Sequence, residues 1–189
     1  MEEMKNVSKI TLRQYEAMSE DLRVEILDGV AYNMASPSQV HQSLVTELLF
    51  ELRRYIGENG GKCKVFTAPF DVKLCDEKDE KGLVIVQPDL LIVCDPEKLD
   101  GKRCNGAPDF VLEIVSESDP AHDYLTKLNY YSKAKVREYW IVDPLQKTVT
   151  VYWFDEESFF CRYFTFNDKV KVNIYDDLAI DFAEIMGRI

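Results

Sequence analysis

Nothing in these 189 residues approaches an apolar run of the ~20 residues that span a bilayer. The opening stretch MEEMKNVSKI likewise lacks the apolar segment of a secretory signal. The expected setting is therefore the cytoplasm, with no membrane partner. Cysteine is sparse and scattered: Cys63, Cys75, Cys94, Cys104 and Cys161 are odd in number and contain no CxxC pair. Neither a disulfide framework nor a zinc knuckle is supported, and most of these thiols are expected reduced and buried. A Gly-rich phosphate loop is missing too, which leaves an enzyme of small phosphorylated metabolites without a supporting motif. Positive charge is in short supply, with 23 Lys and Arg against 34 Asp and Glu and a formal net charge of -11. That balance argues against a surface broadly coated for phosphate binding, because counterion release from nucleic acid needs clustered cations.

What is present is a core. The chain is 46% hydrophobic and has no internal repeat, linker or low-complexity segment, so a single domain over residues 1–189 is expected. Thr11 caps a short helix carrying Leu12, Tyr15 and Met18, and the runs RVEIL and VAYNM form a hairpin turned by Asp28-Gly29. SPSQVHQSLVTELLFELRRYIGENGG reads as a long amphipathic helix starting near Ser36 to Ser38. Val40, Leu44, Leu48, Leu52 and Tyr55 lie close to one stripe that should cover a sheet, and Gly60-Gly61 ends the helix. CKVFTAPFDVKLC, LVIVQPDLLIVCD, APDFVLEIVSE and REYWIVD read as strands, with Asp76 to Lys81 as a loop. A helix from about Pro120 to Ala134 separates the last two. TVTVYWF and FFCRYFTF form a C-terminal hairpin, followed by an acidic end with the amphipathic run LAIDFAEIM.

Three polar residues interrupt these apolar runs: Asp89 after Pro88, Glu113 within FVLEIV, and Lys127 within DYLTKLNYY. Paired residues of an antiparallel hairpin have a constant sum of residue numbers. With Gly101 near the apex, Asp89 faces Glu113, and their Cβ atoms would lie roughly 5 Å apart on one face. Two such carboxylates repel unless a cation lies between them, so their meeting suggests a hard divalent ion, Mg²⁺ or in its place Mn²⁺. Asp89 could instead merely start a strand, and Glu113 could find a structural arginine. At ~100° per residue, Lys127 falls on the apolar face of its helix between Ala134 and Tyr131. There it either snorkels along the tyrosines or pairs with Asp123, or else reaches the carboxylates to serve a water and a phosphoryl oxygen.

Around this triplet stand further candidates. Glu25 in RVEIL is either an outward edge charge or an additional inward acid. His41 on the apolar face of the long helix reads first as a core or cap histidine, and Glu47 on its rim as a solvated charge with a possible approach to a metal. Asp109, Ser116 and Asp119 shape a strand end and a helix start, and Ser116 could also line the site. Lys133, Lys135 and Arg137 form an acid-free stretch with Lys127, either a solvated helix face or a phosphate-facing patch.

Taken together, the blocks RVEILDG, SPSQVH, QPDLLIV, GAPDFVLEIVSESD and DYLTKLNYYSKAKVREYWIVDP resemble the large bacterial restriction-endonuclease family expanded in cyanobacteria, within the PD-(D/E)XK nuclease superfamily. The resemblance implies a mixed α/β fold, with a restriction-endonuclease-like central sheet flanked by helices. It matches Asp89 to the acid of PD and Glu113 to the acid of (D/E)XK. Two residues after Glu113 stands Val115 rather than lysine; in the family the missing lysine is replaced from the following helix, which here is Lys127. A second departure is Lys135, where a glycine often follows the helix.

The expected activity is a Mg²⁺-dependent endonuclease acting on nucleic acid, DNA foremost. Asp89, Glu113 and a backbone carbonyl near Ile114 would hold the ion, and Lys127 would assist attack. Tyr131 and Val115 stand beside this set. The competing expectation is a nuclease-fold module without catalysis that binds nucleic acid or protein. Cutting two strands also suggests a homodimer, for which the aromatic hairpin (Tyr152, Phe154, Phe159, Tyr163) offers a surface, unless those rings close the chain's own core.

Overall fold

The computed structural model describes residues 9–18, 22–75, 82–116, 122–154 and 158–189. The expected loop at Asp76 to Lys81, the start of the helix at Pro120, Asp119 and the tip of the C-terminal hairpin lie outside these residues.

The short N-terminal helix α1 (Leu12–Glu16) begins at Thr11, whose side chain accepts from the Gln14 amide while Gln14 reaches back to the Thr11 amide. Strands β1 (Val24–Leu27) and β2 (Val30–Asn33) pair antiparallel. Asp28 and Gly29 turn them, both at positive φ (51° and 80°), which is the geometry of a type I′ hairpin. Helix α2 (Gln39–Glu58) follows, capped by the Ser38 side chain and stopped before Gly60-Gly61.

Next come β3 (Lys64–Thr67), β4 (Asp71–Cys75), β5 (Val84–Val86), β6 (Leu90–Val93), β7 (Arg103–Asn105) and β8 (Phe110–Ile114). The helical segment between sheets opens with π-type bonding over His122–Lys127 and continues as α3 (Leu128–Ala134). The chain ends with β9 (Glu138–Asp143), β10 (Thr148–Phe154), β11 (Phe159–Thr165), β12 (Lys169–Lys171), β13 (Ala179–Asp181) and α4 (Phe182–Met186).

These strands make two main sheets. One has the order β2-β1-β5-β4-β7, the other β11-β10-β9-β8-β6-β3, and β12 pairs with β13 separately. Both main sheets are mixed, since β4 and β7 are parallel, as are β8 and β9, whereas the remaining pairs are antiparallel. Parallel pairing of β8 with β9 requires the crossover that α3 supplies.

Two expected single strands are each two strands in different sheets. CKVFTAPFDVKLC breaks at a cis Ala68-Pro69 bond, with β3 in the six-stranded sheet and β4 in the five-stranded one. LVIVQPDLLIVCD breaks at Gln87-Pro88-Asp89, with β5 in the five-stranded sheet and β6 in the six-stranded one. A proline lacks the amide that a continuous ladder needs, so the chain changes sheet at both places.

Burial orders the layers. Leu44, Leu48, Leu52 and Ile56 of α2 pack on one face of the six-stranded sheet, against Leu90, Ile92, Phe110, Leu112, Trp140 and Val142. Its other face (Leu91, Val93, Val111, Tyr139, Ile141) meets Leu27, Val72, Val84 and Val86 of the five-stranded sheet, together with Tyr131 of α3. The outer face of the smaller sheet (Val24, Ile26, Leu83, Ile85) is closed by Leu12, Tyr15 and Met18. Val40, expected on the buried stripe of α2, is exposed, and Ile56 takes its place at the other end.

Two further expectations change. Cys63 and Cys94 continue the β3–β6 register and form a disulfide, where reduced thiols were expected. Of the other cysteines, Cys104 is buried, Cys75 half-buried and Cys161 exposed. The run LAIDFAEIM is a strand followed by one helical turn rather than one amphipathic element. In the C-terminal hairpin Tyr152 packs into the core, whereas Phe159 and Tyr163 remain 55% and 66% exposed.

Candidate active site

The corner between β5 and β6 sets the position of Asp89. β6 and β8 pair as Leu90↔Leu112, Leu91↔Val111 and Ile92↔Phe110, the constant sum expected from a Gly101 apex. The connection is more than a hairpin loop, since β7 lies within it and joins the other sheet. Extending the register sets Asp89 opposite Glu113: the Asp89 amide lies 3.3 Å from Glu113 Oε2, and the Ile114 amide donates to Asp89 Oδ2 at 2.8 Å. The Asp89 amide thus holds the Glu113 carboxylate and the Ile114 amide holds that of Asp89, at the carboxyl end of β8.

Lys127 enters from the helical crossover. Its Nζ lies 3.0 Å from Glu113 Oε1 and 3.2 Å from Glu25 Oε1, and all three side chains are buried. Tyr131, one turn further on, donates its hydroxyl to the same Glu113 Oε1 at 2.6 Å. Burial, then the nearby carboxylates Glu113 and Glu25, push the Tyr131 phenol well above its usual pKa. Tyr131 is accordingly a neutral donor and not a base.

Glu25 resolves to the inward of its two possible orientations. β1 lies between β2 and β5, so it is no edge, and both its faces are covered. Val24 and Ile26 face α1, leaving Glu25 and Leu27 to face the space between the sheets. There Glu25 Oε1 also accepts from the Gln87 amide at 2.9 Å, which ties it to the corner that carries Asp89.

His41 is more than a core or cap residue: its Nε2 lies 3.0 Å from Asp89 Oδ2. Its ring Nδ1 is buried without a hydrogen-bond partner among the described residues. The signal available in the sequence was its place in the first turn of α2, three residues after the Ser38 cap.

Other candidates lie elsewhere. Glu47 pairs with Arg188 at 2.6 Å on the side of α2 that meets the C-terminus, away from the two acids. Arg137 precedes β9 and Lys133 and Lys135 close α3, whereas Glu113 lies near the opposite, carboxyl ends of β8 and β9. This stretch therefore lies apart from the two acids, and Arg137 pairs with Asp109 at 3.0 Å, which also accepts from the Cys94 amide. Lys135 adopts the left-handed conformation (φ 63°) in which glycine is favoured. Val115 is buried at the end of β8, with its amide bonded to the Val142 carbonyl.

A cavity of about 920 Å³ opens over the acids. Ile114, Val115 and Ser116, the connection Met34–Ser38 and Pro144-Leu145 line it. Arg23 and Tyr32 also line it, and neither stood out in the sequence.

Whether a divalent ion fits can be judged from the donors. Among the described residues no cluster of three or more His, Cys, Asp or Glu side chains is arranged to hold a metal. Mg²⁺ does not require one, since it keeps several waters and commonly uses one or two carboxylates. Asp89 and Glu113 both line the cavity, and Asp89 Oδ1 takes no hydrogen bond from the described residues. An all-oxygen pair of this kind suits a hard, partly hydrated cation.

A mixed-sheet α/β fold flanked by helices, with an acid at a PD corner, a second acid on the paired strand and an inward lysine, defines a restriction-endonuclease-like protein. The family model Uma2, described as "Putative restriction endonuclease", matches residues 11–181, and the chain belongs to this family. Its fold is also that of a crystal structure described as a putative nuclease belonging to DUF820 from Anabaena variabilis. The two share a TM-score of 0.75 at 17% identity, over 94% of this chain and 98% of that one. No curated protein matches the sequence.

Proposed function

We propose that the protein is a Mg²⁺-dependent endonuclease that hydrolyses phosphodiester bonds in DNA, with Asp89, Glu113 and Lys127 as its catalytic residues. The observation that carries this reading is that the three line one cavity, with Nζ of Lys127 3.0 Å from Glu113, the Asp89 amide against Glu113 Oε2 and the Ile114 amide on Asp89 Oδ2. Asp89, Glu113 and the Ile114 carbonyl are the groups proposed to hold the ion. When bound, Mg²⁺ supplies charge neutralisation at the phosphate and lowers the pKa of a water.

The chain's own groups do the positioning. His41 and the Ile114 amide hold Asp89 Oδ2, which directs the other oxygen of that carboxylate toward the cavity. Tyr131 and Lys127 both bind Glu113 Oε1, which fixes the rotamer of Glu113. Lys127 lies between Glu25 and Glu113, where its ammonium would offset charge developing on a phosphoryl oxygen and orient the attacking water. Glu25 acts through Lys127 as a positioning residue.

The test is incubation of purified protein with plasmid and single-stranded DNA in Mg²⁺, Mn²⁺ or EDTA, beside Asp89→Ala. Cleavage that needs the metal and disappears in the variant is expected. Cleavage by Asp89→Ala at the rate of the unmodified protein, or none by the unmodified protein, refutes the assignment. The same protein melted in increasing Mg²⁺ should gain stability by mass action, and a non-catalytic module with a degenerate site should not.

A further inference from the structure

From the lining of the cavity we infer that the strand entering the site is single-stranded, with Tyr32 as a stacking platform for one base and Arg23 as the contact for a neighbouring phosphate. The inference rests on the nuclease reading above and specifies its substrate.

Charge comes first. Among the described residues that line the cavity, Arg23 and Lys127 are the Lys and Arg side chains, against the carboxylates of Glu25, Asp89 and Glu113. Lys127 is already held between Glu25 and Glu113, which leaves Arg23 to meet an incoming phosphate. A protein that grips a duplex along both strands neutralises on the order of 6–10 phosphates. This chain carries a net charge of -11, and its acid-free basic stretch, Lys133 to Arg137, stands at the far end of the sheet from the acids. One guanidinium at the mouth suits the backbone of one strand.

Shape agrees. The cavity, about 920 Å³, falls within the ~300–1,000 Å³ of clefts that enclose a small ligand, and Met34–Ser38 and Pro144-Leu145 are among its lining. Such a cleft accepts a base swung out of a stack, not a paired helix. Register then supplies the platform. Tyr32 pairs directly with Glu25 across β1 and β2, so both side chains leave the hairpin on the same side. Glu25 is buried against Lys127, while Tyr32 is 45% exposed. Arg23 lies on the same side, and its carbonyl accepts from the Met34 amide as the ladder ends. An aromatic ring beside a single cation is the combination by which unpaired strands are bound without a sequence code.

The experiment is fluorescence anisotropy of a labelled 12-nucleotide single strand and of its blunt duplex, titrated with the full chain in Ca²⁺ over 50–200 mM salt. The single strand is expected to bind at least tenfold more tightly. Tyr32→Ala should weaken that binding about tenfold, the loss of one stacked base, and Tyr32→Phe should restore it. Arg23→Gln should flatten the salt dependence by about 0.7 in log–log slope, the share of one phosphate on a single strand. Duplex binding as tight as single-strand binding, or equal affinity of Tyr32→Ala, overturns the inference while DNA cleavage leaves the nuclease reading standing. Binding of neither DNA, with no cleavage of either, overturns both.

Discussion

Replacing Lys127 by methionine keeps the length of the side chain and removes its charge from between two buried acids. In the native site Nζ lies 3.0 Å from Glu113 Oε1 and 3.2 Å from Glu25 Oε1, with all three side chains almost without solvent contact. Removing one partner of a buried ion pair typically costs about 3–5 kcal/mol, because the other charge stays buried and uncompensated. Here two carboxylates are left together, so the upper half of that range is expected at neutral pH. For a domain of this size each kcal/mol moves the melting temperature by roughly 2–4 °C, giving a fall of about 10 °C or more. Urea unfolding and thermal melts of Lys127→Met, Glu25→Gln and the double variant measure it. The double variant should be more stable than Lys127→Met alone, since only Glu113 then lacks its cation. Mg²⁺ should also stabilise Lys127→Met more than the native protein, because a bound cation would take over part of the missing charge. A loss below about 1 kcal/mol, or a double variant no better than the single one, would mean that the ammonium is solvated, and the argument for Lys127 as a buried catalytic cation would collapse.

Lys135→Gly should raise stability by about 0.5–1 kcal/mol, since Lys135 sits at φ 63° after α3 and glycine accepts that conformation without a Cβ clash; a destabilised variant in urea unfolding would contradict this. Glu138 is buried and accepts from Trp140 Nε1 at 2.7 Å, Asn173 Nδ2 at 2.9 Å and the Ile174 amide at 2.9 Å. Glu138→Gln turns one acceptor into a donor facing another donor, and a loss of about 1–3 kcal/mol is expected at pH 7. Burial raises the Glu138 pKa above its ordinary 4.5. Its contribution is therefore complete below the ordinary pKa and is lost as pH rises through the raised folded value. The penalty of Glu138→Gln should accordingly be larger at pH 5 than at pH 7, and a smaller one at pH 5 would reverse the assigned sign.

What could be read from the chain was what rests on local periodicity. The sum rule for β6 and β8 held because their ladder stays antiparallel through an insertion that leaves the sheet at β7 and returns. The wheel directed Lys127 inward because its face is apolar apart from that one charge, and Tyr131 follows one turn later. What could not be read depends on which sheet a strand joins. Apolar runs on either side of Pro69 and Pro88 look continuous in a sequence, and nothing local says that the halves diverge. Glu25 stayed ambiguous for the same reason, since its surroundings come from Gln87 and Lys127, more than 60 residues away. The Cys63–Cys94 disulfide and the His41–Asp89 contact are likewise products of tertiary pairing between distant segments. The placement of the basic stretch was not legible either. Proximity to Lys127 in sequence suggested a shared surface, but a helix and a turn carry Lys133 to Arg137 to the other end of the parallel strands.

The change of sheet at Asp89 bears on how Lys127 comes to lie beside Glu113 although Val115 stands two residues after it. β5 and β6 belong to different sheets, so Glu25 and Glu113 sit on two ladders that meet at this corner. Because the chain turns at Gln87-Pro88-Asp89, Gln87 offers its amide to Glu25 on one sheet and Asp89 offers its amide to Glu113 on the other. The two glutamates are drawn to opposite sides of a single corner. The cation between them comes from the helical segment that links β8 to the parallel β9. At the position two residues after Glu113 the side chain points into the core between the sheets, where Val115 packs. The crossover that joins β8 to β9 is thus also the element that carries the charge between the two acids.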